Sequence, residues 1–361
     1  MANWKHRDEG KKISKSVVAS KSTDELLQSK KFIKGLLDLR KSQKLTKTYI
    51  DGTKKAIDYN EVNKVFVDFR FDGTATGRLS CASYNAQKPM GVSFHTLPRE
   101  TEDNIRDLFC APAGWDFIAA DYAAMELRVL AHISKEFVMQ KAFKSGADLH
   151  TYTARLLFQK DNISKEERQI AKTVSFLIVY GGGAFNLSET MGIPLKRAEK
   201  IIEDYQNVYP GIFNYMEFVN NYVLRNQEAY TIFGRTRKLP NVTSKDRSVV
   251  NRALRQGLNF TIQSTASDIL LCALLGISRR FKQEGMEARP VATVHDSIEV
   301  VCPKKESKKA MEIIYDEMVN YPTLRKVFNI EFDIPFGIDV ELGTSFGNGK
   351  EVHFEGGVPI L

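Results

Sequence analysis

The chain has 361 residues, 43% hydrophobic and 27% charged, enough for a large core and more than one subdomain. No apolar run approaches the roughly 20 residues of a membrane span, and the polar N-terminus reads as neither a signal peptide nor a clear transit peptide. The formal charge of +8 is concentrated: residues 1–60 hold 15 Lys and Arg against 7 Asp and Glu, whereas residues 61–361 hold 37 of each.

Residues 1–21 are rich in Lys and Ser and read as a basic, mobile arm. Such an arm on a neutral body suits a polyanionic partner. A solvated tail that only aids solubility accounts for the same charge. Ser22-Thr23-Asp24-Glu25 has the form of a capping box. Leu26, Ile33, Leu36 and Leu37 suit one face of the helix it would open. Asp51-Gly52 marks a turn, and Asn63 to Phe71 alternates as a strand does. Asp116 to Asp121 is a short apolar strand ending in an acid, and good helix formers follow from Ala123. Residues 130–235 are mainly helical by pattern. Within them Ser164-Lys165-Glu166-Glu167 forms another capping box, and Gly181-Gly182-Gly183 ends the helix it starts. Asn251 to Gly276 reads as a long helix. Pro290 to Cys302 reads as two β runs flanking His295-Asp296. The fold class is therefore α+β, a sheet carrying two acids with a helical excursion between them. Cys81, Cys110, Cys272 and Cys302 form no CxxC pair and read as buried, reduced thiols of a cytoplasmic protein.

Asp121 and Asp296 are the candidate catalytic acids. Carboxylates on adjacent strands can bind hard divalent cations such as Mg²⁺, which share phosphate oxygens as ligands. Two ions about 4 Å apart clamp the attacking and leaving oxygens of an in-line displacement. An Asp at a strand end is ordinarily a cap or a solvated charge, so the surrounding sequence must decide. Between the acids, Arg168, Lys172, Phe176 and Tyr180 recur every four residues and form one slowly drifting stripe, cationic then aromatic. A triphosphate could lie along the cations while sugar and base meet the rings. Snorkelling Arg and Lys on an ordinary amphipathic helix give the same pattern. Ile170, Val174, Leu177 and Ile178 supply a separate face for a core.

At this point the residues match a known family. Asp121-Tyr122-Ala123-Ala124-Met125-Glu126-Leu127-Arg128 resembles motif A of the family A DNA polymerases, the bacterial polymerase I and phage group. Arg168 to Gly181 resembles their motif B, and Val294-His295-Asp296-Ser297 their motif C. Thr76-Gly77-Arg78-Leu79-Ser80 with Asn85 and Gln87 resembles an upstream motif. Arg255 to Asn259 and Gln263 to Asp268 resemble a fifth. The resemblance implies a right-hand fold with an antiparallel-sheet palm, a helical fingers insertion and a truncated N-terminal thumb. It divides the chain into an arm (1–21), a thumb remnant (22–60), first palm part (61–130), fingers (131–250) and second palm part (251–361). It implies template-directed DNA synthesis on a primer 3′ end. Asp121, Asp296 and the Tyr122 carbonyl would hold two Mg²⁺ ions, with Mn²⁺ able to substitute. Arg168, Lys172 and His150 would hold the triphosphate, with Lys172 protonating the leaving pyrophosphate. Glu126 would exclude ribonucleotides, Phe176 would pack on the sugar, and Tyr180 would position the templating pair. Arg78, Asn85, Gln87, Arg255, Asn259, Gln263 and His295 would contact primer or template. The partners implied are primer–template DNA and dNTPs, and no membrane.

The sequence departs from the pattern in places. Ser297 stands where the family usually has an acid. Ala123 and Ala124 replace Ser-Gln, Ser175 and Leu177 alter the surroundings of Phe176, and Lys88 to Thr96 look like an insertion. Only about 75 residues precede Thr76, and no proofreading site is visible. The expectation is a compact or split polymerase. Either the basic arm replaces part of the thumb or a separate thumb, exonuclease or processivity subunit does so. The rival readings are a single-subunit RNA polymerase-like enzyme, against which Glu126 argues, and a non-catalytic polymerase-derived scaffold.

Overall fold

The computed structural model describes residues 23–60, 63–82, 92–98 and 104–361. The expected basic arm, the cap residue Ser22, Asn85, Gln87 and residues 88–91 of the expected insertion lie outside them. The chain divides into two compact units, residues 1–68 with 82–93, and residues 69–81 with 94–361.

The described part of the first unit is mostly one helical run. Helix α1 (Thr23–Lys44) passes through a π-helical turn (Leu45–Ile50) into α2 (Asp51–Asn60). The turn expected at Asp51-Gly52 is therefore absent. A glycine costs about 1 kcal/mol of helix propensity, which is too little to end a helix that good formers continue. The expected apolar stripe of α1 is helical, yet Ile33, Leu36 and Leu37 are exposed. Tyr49 and Ala56 are buried, and the Thr53 hydroxyl donates to the Tyr49 carbonyl.

Strands β1 (Asp68–Arg70), shorter than the strand expected over 63–71, and β2 (Ser80–Ala82), which apart from Asp68 and Ala82 belong to the second unit, form a small two-stranded sheet; the rest of that unit follows along the chain. Strand β3 (Trp115–Tyr122) leads into α3 (Met125–Ile133), followed by α4 (Phe137–Lys144), α5 (Leu149–Phe158), α6 (Lys165–Val179), α7 (Ala184–Met191), α8 (Leu195–Val208) and α9 (Pro210–Asn226). A hairpin of β4 (Glu228–Tyr230) and β5 (Thr236–Lys238) precedes α10 (Arg247–Gln283). Then come β6 (Arg289–Val294), β7 (Ser297–Pro303), α11 (Ser307–Tyr315), α12 (Pro322–Phe328), β8 (Ile338–Gly343), β9 (Lys350–Glu355) and β10 (Val358–Ile360).

The main sheet runs β10-β9-β8-β3-β7-β6, antiparallel throughout. Strand β3 lies inside it, and its side chains alternate: Ile118, Ala120 and Tyr122 are buried, while Ala119 and Asp121 are partly open. One face packs into the core; the other is also covered at Phe117 and Glu299 and is partly open at Asp121. Helix α10, 37 residues and about 55 Å long, contributes Phe260, Ile262, Ile269 and Phe281 to that core. An 18-residue window within it is apolar enough to cross a membrane, but 78% of that window is buried inside the protein.

Candidate active site

The acids are positioned by main chain. Strand β3 ends at Tyr122, and Ala124 turns the chain in the left-handed region, with φ of 51°. A non-glycine residue there carries strain. Arg128 compensates from the first turn of α3. Its Nε donates to the Ala123 carbonyl at 2.8 Å, a second nitrogen donates to the Pro335 carbonyl, and its guanidinium lies 4.4 Å from the Phe143 ring centre. Burial pushes its pKa down to about 10, with Asp339 opposing. The other acid sits in the turn between β6 and β7, where His295 has φ of 60°. The two corners meet directly: the Tyr122 N–H donates to the Asp296 carbonyl at 3.2 Å. Asp121 is register partner to Ser297 on β7 and to Asp339 on β8. Paired residues share a sheet face, so an exposed third acid, Asp339, joins that of Asp121.

Among the described residues no three His, Cys, Asp or Glu side chains form a ready-made ligand set. Carboxylates such as those of Asp121 and Asp296 suit Mg²⁺, which keeps waters and takes phosphate oxygens from its substrate.

Glu126 begins α3 beside the acids and is 5% exposed. It accepts from Arg78 Nη2 at 2.7 Å and from the Tyr180 hydroxyl at 3.0 Å. The same Arg78 nitrogen reaches Asp296 Oδ1 at 3.1 Å. Burial raises the Glu126 pKa, and Asp296 adds to it, against Arg78, Tyr180 and Gln263. Burial also raises the Tyr180 hydroxyl.

Tyr180 closes α6, whose start is the expected capping box: Ser164 Oγ accepts from Glu167 N, and Glu167 Oε2 accepts from Ser164 N. Along the helix Arg168, Lys172 and Tyr180 are exposed and Phe176 is half-buried, while Ile170, Val174 and Ile178 enter the core. The stripe is open at Arg168, Lys172 and Tyr180 and half-covered at Phe176. Arg168 is held by Asp148, Nε to Oδ2 at 2.9 Å and Nη2 to Oδ1 at 3.0 Å. Burial would raise Asp148, but bonds from Arg168 and Thr151 overcome it and hold the carboxyl well below the usual range. His150, two residues on, lies 5.9 Å from the Phe176 ring. Its pKa is lowered to about 4 by burial, with Lys172 and Arg168 adding and Asp148 opposing. Its Nδ1 is buried without a hydrogen-bond partner.

Residues 3–348 match the family model described as DNA polymerase family A. The chain belongs to that family. It is 33% identical over 316 residues to DNA polymerase I of Bacillus caldotenax, covering 86% of this chain and 34% of that protein. It is 34% identical over 317 residues to DNA polymerase I of Treponema pallidum, covering 87% and 30%. The chain thus spans about a third of the length of these curated relatives. Among solved structures, the POL domain of Pol1 from M. smegmatis, in complex with DNA primer-template and dNTP, superposes with a TM-score of 0.78. That match is 27% identical and covers 88% of this chain and 53% of that one. The mixed architecture of helices and antiparallel sheet is that of the family A polymerase domain.

The remaining family motif lies on α10. The Arg255 stem covers Gly181, where a Cβ would sit 2.8 Å from Arg255 Cγ. Gly181 also has φ of 66°, so only glycine suits that corner. Asn259 Oδ1 is buried without a partner. Gln263 is buried and reaches Glu126 and Tyr180. Ser267 donates to the Gly77 carbonyl at 2.9 Å, fixing the corner that carries Arg78.

Four residues escaped the sequence analysis. Asp148 follows no motif, although Asp before Leu-His-Thr is a helix cap signal. Arg128 was visible only as part of motif A. Asp339 is brought in by strand pairing alone. His95 donates from Nε2 to the Thr293 carbonyl at 2.9 Å and stacks on His295 at 5.7 Å, buttressing the turn.

Proposed function

We propose that this chain catalyses template-directed DNA synthesis, adding a deoxynucleotide to a primer 3′ end with release of pyrophosphate. The observation that carries this is the meeting of the Asp121 and Asp296 corners, with Glu126 linked through Arg78 to Asp296 and bonded to Tyr180 at the end of the α6 stripe. Residues 61–130 and 251–361 would serve as palm, residues 131–250 as fingers, and residues 22–60 as a thumb remnant.

Two Mg²⁺ ions, for which Mn²⁺ would substitute, would be held by Asp121, Asp296 and the Tyr122 carbonyl, and would supply charge neutralisation at the attacking and leaving oxygens. Arg168 meets the triphosphate with its fork already oriented by Asp148. His150, neutral at pH 7, offers hydrogen bonding from an otherwise unpartnered Nδ1. Lys172, which has no ion pair among the described residues, donates its proton as pyrophosphate departs. Phe176 packs on the sugar and Glu126 blocks a 2′-hydroxyl. Tyr180 supports the templating pair. Arg78 and Gln263 would read minor-groove acceptors, which differ little among base pairs. Arg255, Asn259 and His295, with Asn85 and Gln87, would contact primer or template strands. The basic arm or a separate subunit would add backbone contacts.

Primer extension by the purified chain with Mg²⁺ tests the proposal, dNTPs against NTPs. Extension with dNTPs is expected. Incorporation of NTPs alone, or DNA binding with no extension in either metal, would refute it.

A further inference from the structure

Glu299 lies on β7, 1% exposed, with register partners Ala119 on β3 and Ala292 on β6. Its Oε1 is 2.6 Å from Ser297 Oγ, and the same Oγ is 2.9 Å from the Val294 carbonyl oxygen. A serine hydroxyl has one proton to donate. With an ionised Glu299 that proton would either be split in a weaker three-centre bond or leave one contact as two electron-rich oxygens with no proton between them. A neutral carboxyl removes the conflict: Glu299 O–H donates to Ser297 Oγ, and Ser297 O–H donates to Val294. The surroundings agree. No cation forms an ion pair with Glu299 among the described residues. Its Oε2 is buried without a partner, and burying an unpaired carboxylate is costly. Burial pushes the group up to about 8, with Asp121 and Glu341 adding and Ser297 and Arg106 opposing.

Val294 ends β6 and Ser297 begins β7, and they are register partners across the turn that carries His295 and Asp296. We propose that Glu299 is a neutral carboxylic acid whose hydrogen-bond relay through Ser297 to the Val294 carbonyl braces this turn and so positions Asp296. Glu299 is thus a positioning residue, and this role rests on the polymerase function proposed above. Where the family usually has an acid directly after Asp296, this chain has a serine backed by a carboxyl two residues further along the same face.

The experiment compares Glu299→Gln, Glu299→Leu and Ser297→Ala with the wild type. Mn²⁺ binding is followed by the electron paramagnetic resonance of the free ion, on protein bound to a dideoxy-terminated primer–template with dNTP, so no turnover is needed. Glu299→Leu and Ser297→Ala should weaken Mn²⁺ binding about 10- to 100-fold. Glu299→Gln, whose amide can still donate to Ser297, should rescue it. Wild-type binding in both disrupting variants, or loss in Glu299→Gln equal to that in Glu299→Leu, would overturn the proposal. If Glu299→Leu does not fold, as judged by its thermal transition, Ser297→Ala decides. Independently of metal, the infrared difference between wild type and Glu299→Gln at neutral pH should show an un-ionised carboxylic acid; a carboxylate band would overturn the relay. If the wild type neither binds Mn²⁺ nor extends primers, the function falls, and the infrared band still decides the state of Glu299.

Discussion

The acid corners and the cationic helix are built in different ways. Asp121 and Asp296 are fixed by backbone: a strand pairing, a main-chain bond from Tyr122 to Asp296, and the Arg128 clamp on two carbonyls. Arg168 and Lys172 project from an exposed helix face, and among the described residues the Asp148 pair orients the first of them. Groups that must hold fixed positions are set by rigid sheet corners, which cost nothing to reorganise during reaction. On the proposed function, the groups that would grip and release a polyphosphate stand on long side chains. Glu126, Tyr180 and Arg78 join the two regions through hydrogen bonds that a ligand could exchange.

The contrast can be broken at the acids first. Asp121→Ala or Asp296→Ala should reduce primer extension to background while thermal unfolding and DNA binding stay near wild type; measurable extension would remove them from catalysis. Glu126→Ala should lower discrimination against ribonucleotides on the order of 10- to 100-fold, read from kcat/KM for dNTP against NTP. Arg128→Met should destabilise the protein by about 2–3 kcal/mol, because the Ala123 and Pro335 carbonyls lose a charged donor, measured by urea unfolding. On the flexible side, Asp148→Asn should raise the dNTP KM roughly tenfold with kcat largely kept, since it loosens Arg168 without touching the acids. The smallest effect concerns His150. Its folded pKa of about 4 lies below the unfolded value of 6.5, so the folded state binds fewer protons between them. This group therefore makes stability rise with pH across that window and adds nothing above it. His150→Gln should flatten that part of the profile in paired thermal melts.

Much of this was legible in the sequence because the signals were local. The Ser164–Glu167 box, the strand ending at Asp121, the hairpin around Asp296 and the four-residue stripe each follow from residues close in the chain. The Asp51-Gly52 signal misled because a two-residue turn motif is weak against a continuing helix. The apolar positions of α1 predicted a helix correctly, but periodicity cannot say what covers a face. What stayed hidden was long-range: Arg78 bridging Glu126 and Asp296, His95 behind His295, Asp148 under Arg168, and Glu299 behind Ser297. Each joins residues whose pairing no local pattern encodes.

Arg255, Asn259, Gln263 and Ser267 follow one another at four-residue steps along α10, the long helix through the core. Their spacing is inherited from the helical repeat and is not adjusted residue by residue, so the helix works as a ruler. A local bend, such as a proline would introduce, would shift every mark beyond it together. Such an error would spread from the Gly181 corner to the Gly77 corner at once, although neither corner had itself been changed.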